Sequence, residues 1–189
     1  MQASRLRSYN METFLDLLRH RRSIRKYTPQ PIEEEKIEAL TRAALMSPAG
    51  KRLNPWQFVV VTDHEKLSKM SQCRTYGSQM LQGAPLGIVI CADASLSDTW
   101  QFDCAITAEN IMLAARDMEL GSCWVQVYGR EHDDPSGQFT TAEQWVRHLL
   151  DIPDNITVVC VVSIGYPDED RKPYDYGKLP YEKIHRETW

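Results

Sequence analysis

Apolar and polar positions along this 189-residue chain follow two periods, one helical and one of strands. Met11, Phe14, Leu15 and Leu18 recur at helical spacing, so an amphipathic helix is expected over about residues 11–22. Thr28-Pro29-Gln30-Pro31 forbids its continuation, because proline lacks the N–H that a helix interior requires. Ile37, Leu40, Thr41 and Ala44 share one face of a second helix. Glu33, Glu34 and Glu35 suit its positive N-terminal end, and Ser47-Pro48-Ala49-Gly50 closes it. Strands are expected at Phe58–Val61, Leu86–Ile90, Cys123–Val127 and Thr157–Ile164, with a short charged helix over Glu65–Ser71. From Trp100 to Met118, apolar residues cover most of the helical circumference, including Ala105, Ile106, Ile111 and Leu113. That pattern predicts a buried central helix. Thr140 and Glu143 have capping-box spacing for a further helix that buries Trp145, Val146 and Leu149.

No repeat or linker interrupts this order, so residues 1–189 are expected to form a single domain. Residues 1–10 read as a loose tail. Residues 168–189 read as a polar C-terminal arm carrying Tyr174, Tyr176, Tyr181 and Trp189, which need another surface to cover them. The chain is 42% hydrophobic with a formal net charge of −4, which argues against a nucleic-acid or acidic-membrane coat. The longest apolar runs are strand-length, far short of a membrane span. No apolar stretch follows the N-terminal arginines as in a secretory signal. Cys73, Cys91, Cys104, Cys123 and Cys160 are odd in number and lack metal-ligand spacing. They are expected to be buried free thiols of a cytoplasmic protein, with no metal site.

The informative chemistry lies in Arg19-His20-Arg21-Arg22-Ser23-Ile24-Arg25-Lys26. Three readings stand open on this cluster alone: a solvated helix end favoured by the helix dipole, a nucleic-acid patch, or a phosphate clamp built from guanidinium forks and a serine hydroxyl. No glycine-rich strand-to-helix loop is present, so a phosphate would have to be held by side chains.

The segment RRSIRKY at 21–27 resembles the opening motif of the nitroreductase-like family. Three further blocks are similar to that family in the same order: SPAGKRLNPWQFVVV at 47–61, DCAITAENIMLAARDMELGSCWVQV at 103–127, and IGYPDEDRKPYDYGKLPYEKIHRETW at 164–189. The resemblance implies an α+β fold, a mainly antiparallel sheet flanked by helices, in an intertwined homodimer with flavin mononucleotide (FMN) at the interface. It implies that Arg21, Arg22 and Ser23 hold the phosphate and that Arg25 lies near the pyrimidine edge of the flavin. Pro48, Ala49 and Gly50 would contact flavin from the other subunit, and Asn54 stands where the family often has glutamine. Trp124, Val125 and Gln126 would run along the far edge, and Arg171 or Lys172 would return to the phosphate. Arg52 replaces an asparagine frequent in the family, so substrate preference is not inherited.

The activity implied is an NADH- or NADPH-dependent FMN oxidoreductase. It would pass electrons to a small acceptor such as a nitroaromatic or a quinone, with donor and acceptor alternating at one site. The flavin carries the chemistry, so no protein acid, base or nucleophile is assigned. Structural hydrogen bonding is expected of Asp103 and Glu109, and Trp56 is expected in the core. The loop 129–139 is a candidate lid. The competing readings are reductive dehalogenation or flavin breakdown on the same fold, a flavin binder without turnover, and a nucleic-acid binder.

Overall fold

The computed structural model describes residues 11–189, and the expected N-terminal tail at 1–10 lies outside the described residues, as does the side chain of Met11. Four strands form one antiparallel sheet in the order β1-β2-β4-β3. They are β1 (Trp56–Val61), β2 (Leu86–Ala92), β3 (Gly121–Gln126) and β4 (Thr157–Gly165). Among the described residues five α-helices accompany them: α1 (Met11–His20), α2 (Glu34–Leu45), α3 (His64–Met70), α4 (Trp100–Asp117) and α5 (Ala142–Leu149). The α+β architecture with a mainly antiparallel sheet is therefore as expected.

The central strands β2 and β4 are buried on both faces, which explains why they read as nearly continuous apolar runs, with Ser163 the buried polar exception in β4. Leu86, Ile88 and Ile90 point into one core with Leu40 of α2 and Ile111 of α4. Val89 and Cys91 point the other way, into a second core with Leu67 of α3 and Val146 of α5. This is the period-2 alternation of a strand. It breaks at one place. The register shifts between Ile90, opposite Cys160, and Cys91, opposite Val158. Val159 is therefore an extra residue, and Val159 and Cys160 both face the first core.

All five cysteines are free and buried. Burial pushes the Cys73 thiol up to about 11 and those of Cys91 and Cys104 up to about 12, so none of these three is a thiolate at neutral pH. Trp56 lies in the first core, stacked on Phe58.

Three expectations need correction. The capping box is one residue further on: Thr141 accepts from the Gln144 backbone N–H at 3.2 Å, and the Gln144 side chain accepts in return from Thr141. Glu143 instead pairs with Arg147 at 2.6 Å on the same helix. The first helix ends at His20, two residues early, because Ser23 and Ile24 are captured as extended chain beside β3. Helix α4 is not buried all round. Trp100, Asp103, Cys104, Ala108, Ile111 and Ala115 face the core, whereas Phe102 is 70% exposed, Ile106 is 43% exposed and Ala105 is also exposed. Phe14 and Leu15 of α1, which packs on α4, are exposed too.

Candidate functional site: an arginine-lined cavity at the edge of the sheet

After α1 the chain runs extended along the start of β3. Ser23 pairs in parallel with Ser122, and the Ile24 N–H donates to the Ser122 carbonyl at 3.0 Å. On its other side the same segment meets the turn after β4, through the Thr28 N–H to Tyr166 O and the Asp168 N–H to Lys26 O, both 2.9 Å. The basic cluster is thus pinned between two segments distant in sequence. Gly121 makes the close approach possible: a Cβ there would stand 2.7 Å from the Cβ of Ile24. Gly121→Ala is expected to lower stability by about 1–3 kcal/mol, roughly 2–12 °C in Tm, and to weaken ligand binding by pushing the arginines off the sheet edge. A melting curve that superimposes on the wild type would refute this.

Between this segment, the end of α4 and the C-terminal arm lies a cavity of about 390 Å³. Arg21, Arg22, Arg116 and Arg171 line it, with His20 and Ser122. The buried Arg21 Nε stands 3.3 Å from Glu109 Oε1, an ion pair whose geometry falls short of a hydrogen bond. Arg22 donates to the Lys172 carbonyl and lies 4.5 Å over the Tyr174 ring. Of the two arm residues left open by sequence, Arg171 faces the cavity and Lys172 supplies its carbonyl to Arg22.

Glu169 latches the two halves of this wall together. Its carboxylate accepts the Arg25 backbone N–H at 2.5 Å and pairs with Arg171 at 2.7 Å. Burial works to raise its pKa, but the Arg25 N–H and the Arg171 charge outweigh that and hold it below the ordinary carboxylate value. The folded value lies below the unfolded one, near 4.3, so the stabilisation is fully present above about pH 4.3 and is lost as pH falls through the folded value. Glu169→Gln is expected to flatten the acid limb of the curve of Tm against pH while leaving the neutral limb parallel. An unchanged acid limb would count against the latch.

The other candidate residues lie away from the cavity. Ser23 faces Cys123, as alternation along an extended chain requires. The Arg25 side chain is exposed, with one contact to the Ser23 carbonyl at 3.3 Å. Trp124 packs against the first core and donates from Nε1 to Gln126 Oε1 at 3.0 Å, while Val125 is buried in the second. Pro48, Ala49 and Gly50 are tied to α4. The Gly50 N–H donates to Asp103 at 3.0 Å, and Asn110 donates to Ser47 at 2.8 Å. Gly50 sits at the Asp103 end of the helix, about 20 Å from Arg116 at 1.5 Å rise per residue. Lys51, Arg52 and Asn54 follow with φ of 53°, 59° and 47°. Each such non-glycine residue costs of order 1–3 kcal/mol and persists only where neighbours hold it. The loop 129–139 docks on the opposite face of the sheet, where His132 stacks on Trp145 and Phe139 stacks on His148.

Sequence reasoning missed Arg116 and Glu169. A cation in the last turn of a helix is explained by the helix dipole alone, and one acid in a charged arm carries no signal.

The model of the nitroreductase family matches residues 18–73 and 66–166. The chain belongs to the nitroreductase family. Among its relatives is an Archaeoglobus fulgidus protein provisionally named NADH dehydrogenase/NAD(P)H nitroreductase. It is 42% identical, over 95% of this chain and 100% of that protein. An FMN-dependent nitroreductase from Clostridium difficile R20291 superposes with a TM-score of 0.88 at 43% identity, covering 93% of this chain and 99% of the other. The NADPH-flavin oxidoreductase of Vibrio harveyi is 27% identical over 94% of this chain and 75% of its own length. This family member thus carries a cationic cavity walled by three segments: the basic stretch after α1, the end of α4 and the arm.

Proposed function

We propose that this nitroreductase-family protein is an FMN-dependent oxidoreductase that takes electrons from NADH or NADPH and delivers them to a small acceptor such as a nitroaromatic or a quinone. The observation that carries this reading is the cavity lined by Arg21, Arg22 and Arg171, three guanidiniums brought together from the basic segment and the arm. The donor set fits a phosphate monoester. Guanidinium forks match its oxygens.

When bound, flavin supplies the hydride-accepting centre, at its N5, and the route for electrons onward. The residues of this chain bind and orient. Arg21, Arg22 and Arg171 hold the phosphate, while the Ser23 side chain is turned toward Cys123. Pro48, Ala49, Gly50 and Asn54 contact the flavin from a partner subunit, and Trp124, Val125 and Gln126 border it. The homodimer is supported by the exposed Phe14, Leu15, Phe102 and Ile106, which a second copy would cover, and by the distance of Gly50 from the cavity in its own chain. Five buried, unpaired thiols suit a cytoplasmic location. No helix among the described residues is long and apolar enough to cross a membrane.

Arg25 contributes charge. A fixed cation beside the edge of a flavin that becomes anionic on reduction favours the reduced form. Arg25→Ala is expected to lower the two-electron midpoint potential by roughly 20–60 mV, the equivalent of about 1–3 kcal/mol. An unchanged potential would remove this role.

The deciding experiment is the visible spectrum of purified protein after loading with FMN and gel filtration. A retained flavin band that bleaches with NADH or NADPH and returns with acceptor supports the proposal. Parallel double-reciprocal plots are expected, because donor and acceptor take turns at one site. Folded dimer that retains no flavin would overturn it.

A further inference from the structure

The cavity has a fourth arginine whose guanidinium has no partner among the described residues. Arg116 lines it from the last turn of α4, opposite the segment that carries Arg21 and Arg22. The other three guanidiniums are engaged. Arg21 faces Glu109 at 3.3 Å, Arg171 is bonded to Glu169 at 2.7 Å, and Arg22 holds the Lys172 carbonyl and the Tyr174 ring. Among the described residues, the Arg116 guanidinium has neither a hydrogen bond nor an ion pair. The helix dipole favours a cation in this turn, but it does not require that the cation line a cavity.

Charge accounting points the same way. Arg21 and Arg171 have carboxylate partners, so their charges are largely met. Arg22 has only neutral partners and Arg116 has none, which leaves two guanidinium charges unmatched in the wall. Asp170, the remaining carboxylate of the lining, is exposed to water. A phosphate monoester carries about −1.5 to −2 at pH 7, which matches the two unmet charges.

We infer that Arg116 is an additional phosphate-binding residue, closing on the FMN phosphate from α4 while Arg22 approaches from the basic segment and Arg171 from the arm. The inference rests on the FMN reading above. Its donors are all unspent, so it contributes one or two charge-assisted hydrogen bonds without surrendering a contact in the fold.

The test compares FMN with riboflavin, which has the same ring and side chain but no phosphate. Apoprotein of wild type, Arg116→Gln and Arg116→Lys is titrated with each flavin by fluorescence quenching, alongside melting temperatures. Arg116→Gln is expected to weaken FMN about ten- to a hundredfold and to leave riboflavin unchanged. Arg116→Lys, which keeps the charge but loses the fork, is expected to fall between. Unchanged FMN affinity in Arg116→Gln overturns the inference while leaving the FMN reading intact. Equal loss for both flavins, or a lowered melting temperature with it, assigns Arg116 a structural role and also overturns it. Wild-type protein that binds riboflavin as tightly as FMN removes phosphate recognition altogether, and wild type that binds neither defeats the FMN reading itself.

Discussion

Protein carrying Arg21→Ala together with Arg22→Ala is expected to leave purification without flavin, where the wild type retains it. Each guanidinium offers charge-assisted hydrogen bonds worth about 1.5–3 kcal/mol, so loss of both lowers FMN affinity by roughly two to four orders of magnitude. Neither change opens the main cores, because both side chains lie in the cavity wall at the edge of the sheet. Two structural costs accompany the loss. Glu109 loses the cation at 3.3 Å, and the arm loses the Arg22 contacts to Lys172 O and Tyr174. Glu109 is partly exposed, so its unpaired charge is met by water at small cost. The double variant should therefore melt cooperatively close to the wild type and keep only the part of the preference for FMN over riboflavin that Arg116 and Arg171 supply. Titration of the two flavins checks this. A double variant whose preference for FMN equals that of the wild type would show that the phosphate is held elsewhere.

Asp103→Ala is expected to cost about 3–5 kcal/mol, roughly 6–20 °C in Tm. Asp103 is 4% exposed and accepts from the Gly50 N–H at 3.0 Å, the Thr99 hydroxyl at 3.2 Å and the Ser97 hydroxyl at 3.3 Å. Alanine leaves all three donors without that acceptor, in a place where water has little access. The Gly50 bond matters beyond stability, because it anchors the loop that continues into the left-handed residues Lys51, Arg52 and Asn54. Without the anchor that strained turn relaxes, and Pro48–Gly50 lose a fixed position. Asp103→Asn keeps one acceptor oxygen and should recover most of the loss. Thermal melts of both variants test this, and an Asp103→Ala protein as stable as the wild type would refute it.

Local pattern carried much of the fold. The elements along β1, β2, β4, α2, α3 and α4 are legible because each has a strong period and a marked end, such as the two prolines after Thr28 or Gly121 after α4. The capping box was misplaced by one residue because Thr140 and Thr141 both offer a hydroxyl, and Glu143 and Gln144 both offer an oxygen. Only the docking of Glu143 against Arg147 and the Val158 N–H decides between them.

The candidate site divides the same way. That Arg21, Arg22 and Ser23 form a basic block was plain in one dimension, as was the presence of Arg171 and Lys172 in an arm. Which of that pair faces the cavity was not, because Arg171 is turned inward by Glu169 and Lys172 is held by its carbonyl to Arg22, across some 150 positions. Nor could composition say that Phe102 and Ile106 of α4 are left uncovered by their own chain. Apolar side chains all round a helix state only that every face prefers burial, and the sheet covers one side alone. By itself the chain determined most of its elements, the largely apolar character of its central strands and the identity of its cations, since these depend on neighbours a few residues away. The tertiary structure alone decided which cations converge on one cavity, because convergence is a property of chain paths that meet in space, held there by Gly121, Glu169 and the edge of β3.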